Sequence, residues 1–119
     1  MTDATTTLGE LRALVSAFNA ERDWGRYHSS RNVAMALSVE ASELLELFLW
    51  CADEGPQPAV ASREPSVEDE MADVLVCLLT LAEVRGVDLS EAVRRKVAKN
   101  AEKYPVHKAR GRMEKSDEL

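Results

Sequence analysis

Residues 37–50 read LSVEASELLELFLW, and three glutamates, Glu40, Glu43 and Glu46, stand three apart among the leucines. The stretch has the spacing of a buried helix. On a helical wheel of about 100° per residue, Val33, Leu44 and Leu47 fall within roughly 40° of Glu40, and Leu37 at about 60°. Glu40 is thus placed near the centre of the apolar stripe. Glu43 lies about 60° away, flanked by Ala36, Leu47 and Trp50. Glu46 is further round and is expected to reach solvent.

A second helical segment repeats the pattern. Glu70 and Asp73 are three apart on one face, and Cys77, Thr80 and Val84 share the side of Asp73. Residues 74–82, VLVCLLTLA, are apolar on nearly every side, which predicts a helix covered all round, with a second subunit as one possible cover. An unpaired ionised carboxylate in such a place is costly. A basic partner, a raised pKa or a bound cation would relieve it. Basic partners are scarce locally: the glutamate helix has no Lys or Arg after Arg31, and its counterpart none before Arg85. Two such pairs on facing helices would converge oxygen ligands suited to a hard cation, Mg²⁺ in particular, which takes carboxylates, waters and substrate phosphates. A lone ExxE is more often a solvated face. A di-iron bundle would need Glu-x-x-His, and neither His28 nor His107 follows a glutamate at that spacing.

The length, 119 residues, fits one domain with one core, spanning 1–119 with its body at about 7–107 and a flexible tail over 108–119. Thr7 with Glu10 forms a capping box for a first helix carrying Leu11, Leu14, Val15 and Phe18, ending near Ala20. Ser30 is a candidate cap for the glutamate helix, expected over about Asn32 to Ala52. Three of the four prolines fall in the following loop, about 54–66. Ser66 then caps a third helix that opens with Glu68, Asp69 and Glu70 and ends near Gly86. Asp88 with Glu91 forms another box, and the fourth helix runs to about Lys103 before Pro105. No segment alternates with the two-residue period of a strand. The expected fold is therefore all-α, a four-helix bundle-like protomer.

Net charge is −6, which argues against a sequence-independent grip on polymeric nucleic acid but not against a small anion carried in with a metal. Cys51 and Cys77 form no CxxC pair and lie in apolar runs, as reduced cytoplasmic cysteines do. The chain opens on polar MTDATTTLGE, and its longest apolar run is too short to span a bilayer, so no membrane association is expected. The terminal KSDEL is like a retrieval signal, but without an entry signal it is read as coincidence.

Lys96, Asn100 and Tyr104 recur every four residues, with Lys103 beside them. An amine, an amide and a phenol in one stripe could hold phosphate oxygens. A solvated face whose cations complement the helix dipole is the plainer alternative. Trp24, in the irregular RDWGRYH, and Trp50 could stack on a flat base or serve as core and interface anchors. His28 reads as a hydrogen-bonding or phosphate-contacting group rather than a catalytic base.

The ordered set RDW, ExxExxE, ExxD and KxxxNxxxYP, spread over about residues 8–107, resembles the MazG-like nucleotide pyrophosphohydrolases, and most of all the compact dCTP-pyrophosphatase branch of the all-α NTP pyrophosphatase superfamily. That resemblance implies an enzyme that cuts a nucleoside triphosphate between its α and β phosphates, releasing monophosphate and pyrophosphate. It implies Mg²⁺ held by Glu40, Glu43, Glu70 and Asp73, with Glu46 as an accessory carboxylate near the attacking water. It also implies phosphate contacts from Lys96, Asn100 and Tyr104, and a base pocket bordered by Trp24 and Trp50 with His28 nearby. Homodimers or homotetramers are the implied assemblies, dCTP or a modified dCTP the implied substrate, and the cytoplasm the implied setting. Residues 53–66 match no motif of the family, and Arg110 and Arg112 stay unassigned. The alternative is a non-enzymatic helical oligomer or interaction module, in which the carboxylates pair with arginines across an interface.

Overall fold

The computed structural model describes residues 1–50 and 66–119. Each long helix begins where a short polar side chain takes up a free amide of the first turn. Helix α1, Leu8–Glu21, starts at a reciprocal capping box: Thr7 N donates to Glu10 Oε2 at 3.0 Å, and Glu10 N to Thr7 Oγ1 at 3.1 Å. Helix α2, Ser30–Glu46, is capped by Ser29, whose Oγ accepts from Asn32 N at 3.1 Å. The cap is thus one residue earlier than Ser30, because Ser29 holds the extended backbone a cap needs and Ser30 is already helical. Helix α3, Val67–Arg85, begins at Ser66 in a second reciprocal box, with Asp69, and ends at Gly86. Gly86 has φ +64°, a left-handed conformation that glycine adopts without a Cβ penalty.

Helix α2 stops earlier than the expected end near Ala52. The amides of Leu47, Phe48 and Leu49 reach back three residues, which tightens the chain into successive turns, and Trp50 then takes φ +65°. Ala52, Cys51 and the proline-rich segment lie outside the described residues. Between α1 and α2, Trp24–Tyr27 form a 3-10 turn. Asp23 enters it with a left-handed φ of +53° and pairs with Arg26 at 2.9 Å, while Asn32 Nδ2 donates to the Tyr27 carbonyl at 3.0 Å.

The chain divides into two compact units, Met1–Gly86 and Val87–Leu119. In the first, α3 packs against both α2 and α1. The buried apolar side chains among the described residues are Val33 and Leu47 on the α2 side and Leu79 and Ala82 on α3. Burying a Val or Leu side chain contributes about 1.5–3 kcal/mol, so this layer fixes how α2 lies on α3. The inner face of α1 differs from the expected one. Leu11, Arg12, Val15, Ser16 and Asn19 are half-buried, whereas Leu14 and Phe18 are exposed. Arg12 sets this rotation. Its Nε donates to Glu83 Oε2 at 2.6 Å and its guanidinium to the Ala82 carbonyl at 3.1 Å, so the polar side chain turns inward onto α3. Phe18 instead meets the Trp24 ring edge-on at 5.6 Å and lies under the Arg22 guanidinium.

The second unit holds helix α4, Leu89–Lys103, a short helix α5, Val106–Ala109, and a 3-10 turn at Ser116–Glu118. Asp88 caps α4 by accepting from Glu91 N at 2.9 Å. The reciprocal half of that box is not formed, because the Glu91 carboxylate turns to Arg94. Pro105 stands at the N-cap of α5, so it ends one helix and opens another. Among the described residues there is no strand. No helix among them is long and apolar enough to cross a membrane.

Candidate active site

Along α2 the least exposed side chains are Val33, Leu37, Glu40 and Leu44, with Leu47 just beyond, and Glu40 is the polar member of that stripe. It faces α3, whose first turn contributes Glu70, only 2% exposed. Glu40, Glu43 and Glu70 each present a carboxylate oxygen within 4.8 Å of the others. Glu40 Oε2 and Glu70 Oε2 are buried with no hydrogen-bond partner. None of the ion pairs among the described residues reaches these carboxylates. Asp73 is exposed and stands outside the three-oxygen group, yet its charge acts on Glu40, Glu70 and Cys77. Glu46 is exposed, as its place on the wheel requires.

The cluster is electrostatically frustrated. Burial, then the neighbouring Glu43 and Asp73, push the Glu40 carboxyl up from 4.5 to about 7. Burial and Glu43 push Glu70 up as well. Burial first, then Glu40 and Asp73, raise the Cys77 thiol, which makes it a poor nucleophile. Such a site either retains a proton or takes a cation. Ligand oxygens around an octahedral Mg²⁺ stand about 3–4 Å apart, so a group already gathered within 4.8 Å needs little closing. The orphaned oxygens of Glu40 and Glu70 are the atoms such an ion would satisfy. The donor set fits a divalent metal.

Beside the cluster lies a cleft of about 340 Å³. Its walls include Ala36, one helical turn before Glu40, and Cys77, one turn after Asp73. Trp24 and Tyr27 of the 3-10 turn, His28 just after it, Asn32 at the start of α2, and Asn19 and Thr80 complete most of it. The structure therefore brings Trp24 and His28 to the cleft next to the carboxylates. Trp50 is not among its walls and is 85% exposed. Lys96, Asn100 and Tyr104 belong to the second unit. There Asn100 is half-buried and Lys96 exposed, while Tyr104 is the C-cap of α4, its amide donating to the Asn100 carbonyl at 2.8 Å. Asn19, Tyr27, Asn32, Cys77 and Thr80 carry no site role in the sequence motifs. Thr80 had left one trace, as the lone hydroxyl in VLVCLLTLA.

The model of the MazG-like family matches residues 35–119, the span that carries the carboxylate motifs and α4. The chain belongs to the MazG-like family. Curated relatives share more of its length. The mouse protein dCTP pyrophosphatase 1 is 43% identical over 107 residues, covering 88% of this chain and 63% of its own length. Its human counterpart is 42% identical over 115 residues, covering 95% of this chain and 68% of itself. The chain thus spans a little under two thirds of the mouse relative. A crystal structure of a pyrophosphatase from Archaeoglobus fulgidus superposes with a TM-score of 0.73 at 38% identity, covering 88% of this chain and 98% of that one.

Proposed function

We propose that this MazG-like chain is a Mg²⁺-dependent nucleoside triphosphate pyrophosphohydrolase, cleaving dCTP or a modified dCTP to the monophosphate and pyrophosphate. One observation carries the reading: three carboxylates crowd within 4.8 Å, two with orphaned buried oxygens, and Glu40 stands one helical turn from the Ala36 wall of an aromatic-lined cleft. The likeness to proteins named dCTP pyrophosphatase 1 supports the choice of base.

In this reading Glu40, Glu43 and Glu70 hold the ion, with Asp73 completing the set. A bound Mg²⁺ would neutralise phosphate charge and act as a Lewis acid toward the α-phosphorus. Glu46, exposed one turn beyond Glu43, orients or deprotonates the attacking water. Lys96, Asn100 and Tyr104 bind phosphate oxygens and stabilise charge on the leaving pyrophosphate. Trp24 and His28 border the base, and Trp50 is a further base contact. The reaction is placed in the cytoplasm, as nucleotide-pool cleaning.

Homodimers or homotetramers fit the apolar side chains left exposed on the two central helices. Met35, Leu45 and Met71 are 58%, 69% and 57% exposed, apolar side chains that a second subunit would cover. Light scattering after size exclusion would read the assembly directly.

The deciding experiment incubates purified protein with each canonical nucleotide and Mg²⁺ and resolves the products by ion exchange. Monophosphate plus pyrophosphate, abolished by EDTA, is the expected result. Diphosphate plus orthophosphate would replace α-phosphate attack with another cleavage. No product from canonical or 5-modified nucleotides would discard the enzyme in favour of an interaction module.

A further inference from the structure

The cleft beside the carboxylates shares Asn19, His28 and Thr80 with an adjoining hollow of about 200 Å³. Asn19 and Thr80 thus stand where the two meet. Thr80 is 7% exposed, and both sides of its hydroxyl are engaged. Its Oγ1 donates to the Val76 carbonyl at 2.9 Å and accepts from Asn19 Nδ2 at 3.2 Å. A hydroxyl has a single hydrogen, and here it is spent on Val76. Toward Asn19 the hydroxyl can only accept. The amide nitrogen must therefore face Thr80, and the amide oxygen must face away from it. Among the described residues Asn19 Oδ1 has no donor. Asn19, which lines both hollows, thus offers a carbonyl acceptor whose orientation is set by Thr80.

We infer that Asn19, oriented by Thr80, is a specificity-determining residue that selects a base carrying an exocyclic amine over the same base carrying a keto oxygen. The inference rests on the proposed nucleotide reading, which places phosphates at the carboxylates and the base in the cleft one helical turn away. A fixed Oδ1 pairs with the amine of a cytosine-type ring. Against the keto oxygen of a uracil-type ring, acceptor meets acceptor and both lose their water without a partner. An asparagine free to turn would offer its NH₂ instead and accept both rings. Thr80 removes that freedom, so it is the positioning residue for Asn19.

The test compares kcat/KM for dCTP and dUTP in three proteins. The unaltered chain is expected to favour dCTP. Asn19→Ala, at a half-buried helix position where alanine is well tolerated, should narrow that preference about tenfold, through loss on dCTP. Thr80→Val keeps the volume and frees the amide, so it should narrow the preference through a gain on dUTP. A purely structural role would lower both substrates alike and leave the ratio unchanged. An unchanged ratio in both variants, or a starting preference for dUTP, overturns the inference while leaving the pyrophosphohydrolase intact. Failure of the unaltered chain to hydrolyse any nucleotide overturns the underlying reading instead. Should Thr80→Val not fold, the Asn19→Ala ratio decides alone.

Discussion

Helices α2 and α4 carry charged side chains at similar helical intervals and put them to opposite uses. On α2, Glu40 is flanked by Val33, Leu37, Leu44 and Leu47, and its Oε2 is buried without a partner. On α4 no residue is buried, and Glu91 pairs with Arg94 in side chains 52% and 75% exposed. Water screens the second set, so its charges are individually cheap and nearly independent. The first set is held against its own repulsion by the packing of α2 on α3. Spacing alone does not separate a buried carboxylate from a solvated one. The residues between the charges do.

Glu40→Gln should break the contrast most. It keeps the shape, removes the charge and leaves the cluster short of a ligand. Under the proposed function, turnover with Mg²⁺ falls roughly 10³-fold, since the ion's contribution is worth several kcal/mol. The metal-free variant should melt no lower than the unaltered protein, because a repulsion has gone. Steady-state kinetics and a thermal melt in EDTA read both. Mg²⁺ should raise the melting point of the unaltered protein and not that of the variant, since only the former binds a ligand of the native state. Unimpaired turnover in Glu40→Gln would remove the cluster from the chemistry.

The same carboxylate makes stability depend on pH. Folding raises Glu40 from 4.5 to about 7, so the folded protein holds this proton more tightly than the unfolded chain does. Stability is then greatest below pH 4.5 for this group, falls as pH rises, and has lost the full contribution above about 7. The loss is roughly 2 kcal/mol after allowing for solvent screening. Urea unfolding in EDTA at pH 5 and 8, with Glu40→Gln as control, isolates it. Equal slopes in the two proteins would assign the pH dependence elsewhere.

Much of this contrast was legible in the sequence. The α2 stripe, the exposed Glu46, the caps at Thr7 and Ser66 and the Gly86 terminus follow from helical period and local hydrogen bonding, which act within a turn. What stayed hidden depends on contacts made across the fold. Arg12 turns α1 by bonding Glu83 and Ala82, some seventy positions on, so the period alone misplaced Leu14 and Phe18. Asn19 and Thr80 are 61 residues apart and meaningful only as a pair. The half-formed box at Asp88 is a competition the motif cannot show, since Glu91 had two donors within reach and Arg94 won.

Smaller effects are expected on α4. Asp88→Ala removes the cap that accepts from Glu91 N and should cost about 1 kcal/mol, read as a lower urea midpoint with an unchanged slope.

Arg94→Ala should give the smallest effect. The Arg94 guanidinium reaches both Glu91 oxygens, at 2.6 and 2.8 Å, a geometry that on distance alone would rank among the strongest contacts in the molecule. Both side chains are more than half exposed, so water supplies most of what the partner gives, and ordering two long side chains costs entropy. Alanine also has the higher helix propensity. The expected loss is less than about 0.5 kcal/mol, and it should shrink further in high salt. Removing Arg94 also frees Glu91 to complete the capping box with Asp88, which would offset part of the loss. A double-mutant cycle with Glu91→Gln separates the pair from the cap. A coupling well above 1 kcal/mol would mean that α4 is not the solvated helix it is in this unit, and that its charges, like those of α2, are held in a drier place.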